Sequence, residues 1–277
     1  MSEAARFFLL QLTLIAVVLI LHTYLGLHII RRTLVFSDLA LDQLAALGAI
    51  IGVQLNIAYG SPFSYVVSMI AVLFGALLLA LVKPRSRSLP REAVIGIIYG
   101  LTLIACLMLT DKPGGDALLN KTFSGYMPWV SWPLVAVTAA IYTLLLIVHY
   151  IFRYRLIALA ENPGFLKNER LWDFFFFTTQ GIITVLIVPI AGVFLAYVFL
   201  MIPAAMAAMF TRSWGRAIIL GWSLGFIACA LGLGSSYHFD WPYCPSMVLS
   251  LGVFFLGAIV IRYLLSRKNT DLSKGVA

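Results

Sequence analysis

Apolar runs long enough to cross a bilayer follow one another along almost the whole chain, and this constrains the fold more than any motif. About 20 apolar residues are needed to cross about 30 Å of hydrocarbon as a helix, and in lipid each spanning segment must satisfy its own backbone groups. Phe7 to Ile30, Pro62 to Val82, Glu92 to Thr110, Ser131 to Phe152, Ala217 to Gly234 and Met247 to Leu265 each read as one crossing. Asp173 to Phe210 is long enough for two, the first short, joined by a tight outer turn near Pro189. With 62% hydrophobic and 11% charged residues among 277, the chain lies outside the range of soluble globular proteins. The first run is too long for the core of a signal peptide and is read as retained. The expectation is an all-α polytopic membrane protein, a single domain over residues 1–277 with about 8–9 transmembrane helices.

One stretch breaks lipid-facing logic. In RRTLVFSDLALDQLAALG, from Arg31 to Gly48, two arginines precede two carboxylates, Asp38 and Asp42. Four residues apart on a helix, these share one face about 6 Å apart along the axis. Turned to lipid, each would cost roughly 2.5 to 3.5 kcal/mol on insertion scales. They must therefore face a protein-lined or watery interior. The segment from Leu34 to Ala58 is accordingly a polar helix buried in the bundle, its Ala45, Ala46, Gly48 and Gly52 spaced for close packing. Full spanning and re-entry both remain open for it.

Charge sets the orientation. The basic loop KPRSRSLPRE, Arg153 and Arg155, Arg212 and Arg216, and the terminal Arg267, Lys268 and Lys274 all fall on one side. Only Arg6, Lys112 and Lys121 of the 19 basic residues fall on the other. By the positive-inside rule the C-terminus is cytoplasmic, and nine crossings put the N-terminus outside. The net charge of +8 thus reads as topology, and nucleic acid is not expected as a partner. Residues 111–130 and 235–245 read as outer loops, and the polar stretch over about 156–171 as the longest cytoplasmic one.

Several chemistries are absent from the pattern. No GxxxxGKS/T loop occurs, so ATP hydrolysis is not expected of this chain, and neither GxSxG nor HExxH is present. Three cysteines without a CxxC pair give no disulfide framework. Of the eleven acids, only Asp38 and Asp42 fall at membrane depth. Carboxylates with a neighbouring amide, Gln43, are the oxygen donors that a divalent cation accepts in a transient site. His238 and Asp240, in the outer loop GSSYHFDWPYCP, are candidates for an entrance, or else belong to a turn held by Pro242. His22 and His28 read as interfacial or bonded to neighbouring helices, and Met201, Met206 and Met209 beside Pro203 as packing around a kink.

FSDLALDQLAALG after a basic pair, GVFLAYVFLMIPAAMAAMFTR, and GSSYHFDWPYCPSMVL, in that order, resemble the permease subunit of metal-type ABC importers, the zinc, manganese and iron uptake family. The resemblance covers nearly the whole chain. It implies an all-helical permease in the bacterial cytoplasmic membrane that dimerises around a central path. Its implied partners are an extracytoplasmic metal-binding protein, a separate cytoplasmic ATPase and membrane lipid. No covalent cofactor is implied, and a divalent metal ion is the cargo. The family commonly has DALSH where this chain has DLALD, so Asp38 matches the family aspartate and Asp42 replaces its histidine. That substitution hardens the site toward oxygen ligands. Similar permeases place a short ATPase-docking helix at Ala158 to Arg170, which assigns Glu161, Asn162, Lys167, Glu169 and Arg170 to coupling. The competing readings are an importer of a metal chelate or other small solute, an intramembrane enzyme using the aspartates as a dyad, and a scaffold.

Overall fold

The computed structural model describes residues 3–81, 90–125, 130–162, 164 and 166–274. Ten helices follow in chain order: α1 (Glu3–Arg31), α2 (Val35–Gln54), α3 (Pro62–Leu81), α4 (Arg91–Leu109), α5 (Gly115–Ser124), α6 (Trp132–Ile151), α7 (Arg153–Glu161), α8 (Glu169–Phe210), α9 (Trp214–Phe239) and α10 (Tyr243–Lys274). Eight of them are long and apolar enough to cross a membrane. Among the described residues there is no strand, as expected of backbone that must close its hydrogen bonds within each segment in lipid.

The longest helix does not run straight. At 1.5 Å per residue, the 42 residues of α8 would reach about 63 Å, twice the hydrocarbon thickness. Yet both its ends lie at the same pair of arginines. Asp173 is ion-paired with Arg32, and the Arg212 carbonyl accepts from Arg31 Nη2 at 2.6 Å. The chain therefore folds back in between, at Gly192, which holds φ 75° and ψ 166°. A Cβ there would fall on the backbone of Phe123 and Gly125, which close α5, so the turn requires glycine for conformation and for space. The turn expected near Pro189 is thus three residues further on, and α8 supplies two crossings.

One end of the bundle is set by the arginines, the other by α5 and the α9–α10 turn. Between α1 and α2 the chain reverses in a few residues, with Thr33 at φ 52°. At the far end Gln54 Nε2 donates to the Leu109 carbonyl at 2.8 Å, whereas at the arginine end Arg91, which opens α4, donates to the Leu79 carbonyl at 2.6 Å. Hence α2 runs the whole distance between the two ends of the bundle. Phe7 and Phe8 of α1 touch Tyr243 and Tyr237, so the first turns of α1 lie at the end opposite Arg31. α2 and α8 form the interior: 72% and 78% of their most apolar windows are buried, against 17% for α4.

Two expectations need correction. The stretch 111–130 is not all loop: Gly114, at φ 84°, starts α5, which buries Thr122 and ends against Gly192. The short helix expected at Ala158 to Arg170 is α7, Arg153–Glu161, and it stops earlier because the residue before a proline is pushed out of the helical region. Asn162, which precedes Pro163, sits at φ −144° and ψ 64°. The basic-loop reading at Lys83, Arg85 and Arg87 falls outside the described residues.

Candidate functional site

The site begins with how α2 is held. Its first turn lacks a side-chain cap of its own, and the Phe36 N–H instead donates to Glu92 Oε1 of α4 at 2.7 Å. Further along, Gly48 lets the α3 backbone close in, since a Cβ would lie 3.0 Å from the Ser68 nitrogen. The opposite face is pressed on the first limb of α8. Asp38 and Asp42 lie on that face, each 1% exposed.

Their partners come in register. Gln180 Nε2 donates to Asp38 Oδ1 at 2.7 Å, and the Thr184 hydroxyl bonds Asp42. Both pairs are separated by 142 residues (180 − 38 and 184 − 42). A constant separation means that α2 and the first limb of α8 run parallel, so a pair of acids four residues apart meets a pair of polar side chains four residues apart. Tyr142 of α6, 1% exposed, lies in the field of both carboxylates, and so does half-buried Tyr197 of the second limb. Asp38 Oδ2, Asp42 Oδ2, Gln180 Oε1 and the Tyr142 hydroxyl have no hydrogen-bond partner among the described residues. Neither aspartate has a cationic side chain paired with it there. The arrangement is an occluded, oxygen-lined site built around two carboxyl groups.

The arginine end treats an acid differently. Asp173, with its side chain fully buried, pairs with Arg32 and with Arg91 Nη2, the latter at 3.2 Å, over the faces of Phe176 and Phe177. Burial pushes the Arg32 guanidinium down, and Asp173 opposes that shift. Arg31 reaches Glu161 Oε1 at 2.6 Å, and Trp214 Nε1 donates to the same oxygen at 3.0 Å. The C-terminus of α1 therefore ties α7, α8 and α9 to the turn that leads into α2.

The expected site residues divide. Asp38 and Asp42 come together, but Gln43, one residue and about 100° further round the helix, faces α4, where its Nε2 donates to Cys106 Sγ at 3.3 Å. It does not join the acid pair. His238 and Asp240 are exposed at the end of α9, beside α10 and the first turns of α1. The end of α2 away from the arginines opens instead on a 590 Å³ cavity lined by Gln54, Tyr59, Lys112 and Gly115 among others. Burial pushes the Tyr59 hydroxyl at its rim up to about 12. Among the described residues, no three or more histidine, cysteine, aspartate or glutamate side chains gather as a metal site. Of the residues expected to couple, Glu161, Asn162, Lys167 and Arg170 are exposed and Glu169 is half-buried, and Glu161 also accepts from Arg31 Nη1 and Trp214 Nε1.

Sequence reasoning missed Tyr142, Gln180 and Thr184. The signal was the spacing: Gln180 and Thr184 repeat the interval of Asp38 and Asp42 inside an apolar run.

Comparison with known proteins adds the following. A model of the ABC 3 transport family matches residues 5–262. An uncharacterized membrane protein of Synechocystis sp. is 22% identical over 176 residues, which cover 62% of this chain and 63% of that protein, just under two thirds of its length. The chelated iron transport system membrane protein YfeD of Yersinia pestis is 24% identical over 234 residues, 81% of this chain and 77% of that protein. Among solved structures, PsaBC from Streptococcus pneumoniae in complex with Fab has the same fold, with a TM-score of 0.74 at 21% identity over 92% of this chain and 95% of that one.

Proposed function

The chain belongs to the ABC 3 transport family, and from that premise we propose that it is the membrane-spanning permease of an ATP-driven importer of divalent metal ions, with zinc, manganese and iron as the candidate cargoes. The observation that carries this reading is the acid pair, two carboxylates at membrane depth, 1% exposed and without a counter-cation. A buried charge is costly unless paired, and a passing cation is the partner that a transporter provides transiently. In this reading the whole chain acts as one permease domain in the bacterial cytoplasmic membrane, with its C-terminus cytoplasmic, as the excess of lysine and arginine at one end of the bundle supports.

Partners follow from the family. A separate cytoplasmic ATPase would dock on the exposed side chains of Asn162, Lys167 and Arg170, a second copy of the chain would complete the permease, and an extracytoplasmic metal-binding protein would deliver cargo to the opposite end. Exposed Glu161, which also accepts from Arg31, would relay movement of the docking segment to Arg31 and thence to α2. Alternating access would then open the acid pair to one side at a time.

The test is metal accumulation in cells or vesicles that carry the complete transporter. Asp38→Asn and Asp42→Asn should each abolish accumulation while the ATPase still co-purifies. Normal uptake by both variants would overturn the reading. A second reading, import of a metal chelate, has the printed name of the Yersinia relative in its favour. Uptake of free ion against chelated ion separates the two, and the tight burial of the acid pair favours the free ion.

A further inference from the structure

Resting on the reading of Asp38 and Asp42 as the cargo site, we infer that Gln180 and Tyr142 are cargo ligands as well, so that α2, α8 and α6 together build an all-oxygen cage that prefers a hard divalent cation such as manganese to zinc.

The first support is an accounting of buried polar atoms. Native interiors pair more than about nine in ten of them, and an orphan costs about 1–3 kcal/mol. Here three oxygens from two helices, on Asp38, Asp42 and Gln180, are orphaned at the acid pair, and so is the hydroxyl of Tyr142 on a third helix, which lies in the field of both carboxyl groups. Gln180 is fully buried, and the donation of its amide nitrogen to Asp38 fixes its carboxamide at the acid pair. A phenylalanine would satisfy packing at position 142 without a stranded hydroxyl. Three of these are carboxyl or amide oxygens and the fourth is a hydroxyl with lone pairs of its own, and together they offer what a cation takes at a stroke.

The second support is where the softer donors go. His22 stacks on Tyr142 at 5.7 Å between ring centres and its Nδ1 pairs with the Val18 carbonyl at 3.0 Å, while no hydrogen bond or ion pair joins it to either aspartate among the described residues. His149 bonds Thr179 Oγ1 at 2.9 Å, on the face of α8 next to that of Gln180. His28 is enclosed by Tyr24, Phe176 and Trp214. Cys106 meets Gln43 on the α4 side. Imidazole and thiolate are the ligands that favour zinc, whereas carboxylate, amide and hydroxyl oxygens suit magnesium, calcium and manganese.

The experiment measures manganese and zinc uptake in competition, and Mn(II) binding to the purified transporter by electron paramagnetic resonance, for wild type, Gln180→His, Tyr142→Phe and Asp38→Asn. Gln180→His should move the zinc-to-manganese uptake ratio toward zinc by roughly tenfold or more, and Tyr142→Phe should weaken Mn(II) binding by about tenfold at unchanged thermal stability. An unchanged ratio and unchanged Mn(II) binding in both variants, with Asp38→Asn inactive, would overturn this inference alone. An active Asp38→Asn would overturn the cargo site itself. Tyr142→Phe keeps the ring and its stack, so the idea stays falsifiable if the histidine variant fails to fold.

Discussion

Two buried acid sites in one protein are handled in opposite ways. Asp173 is fully buried at the arginine end and receives two guanidinium groups, from Arg32 and Arg91. Asp38 and Asp42 are equally inaccessible in the first turns of α2, against α8, and receive an amide, a hydroxyl and, among the described residues, no cation. The first site is closed electrostatically and serves to join α1, α4 and α8. The second has no cationic side chain among the described residues, and that lack is what the proposed cargo would fill.

The largest effect should come from breaking the closed site. Asp173→Ala leaves two arginines buried without their acid, and removing one partner of a buried ion pair costs about 3–5 kcal/mol. Thermal unfolding in detergent should shift sharply downward, with loss of monodisperse protein. Retention of the wild-type transition would mean that Asp173 is not the structural acid of the pair of sites.

The open site should respond in the reverse sense. Asp38→Asn and Asp42→Asn remove charges that nothing in the protein compensates while keeping a polar group of the same shape. Their unfolding transitions should match or exceed that of wild type even as metal uptake falls by about a hundredfold or more, equivalent to about 2.7 kcal/mol. A large loss of stability in either variant would erase the contrast, because it would make the acid pair structural too.

Much of this contrast was half legible in the sequence. Apolar runs placed the crossings, and the two arginines with two acids singled out α2, because segment length and charge are local properties. The fold-back at Gly192 was readable from length alone, to within three residues. Asp173 read as an ordinary acid on the cytoplasmic side, since its burial is created by Arg32 and Arg91, each more than 80 residues away. Helix α5 was hidden in a glycine-rich loop, because what holds it is the tertiary contact of Gly125 with Gly192. Gln180, Thr184 and Tyr142 were invisible as ligands for the same reason. Only the parallel packing of α2 on α8 gives them a common centre.

The smallest effect sharpens the comparison most, because it sets one glutamine against another. Gln43 and Gln180 are both fully buried, and each leaves its amide oxygen without a partner. Gln43 is the sequence neighbour of Asp42, yet it faces α4 and donates only to a thiol, a weak acceptor. Replacing a poorly satisfied amide by an apolar side chain of similar volume is near neutral or stabilising. Gln43→Leu should therefore change stability by under about 1 kcal/mol and leave metal uptake within about twofold of wild type. Gln180→Leu strands the second oxygen of Asp38 and should abolish uptake. Loss of uptake in Gln43→Leu at unchanged stability would bring α4 into the path and enlarge the open site beyond the face that α2 shares with α8.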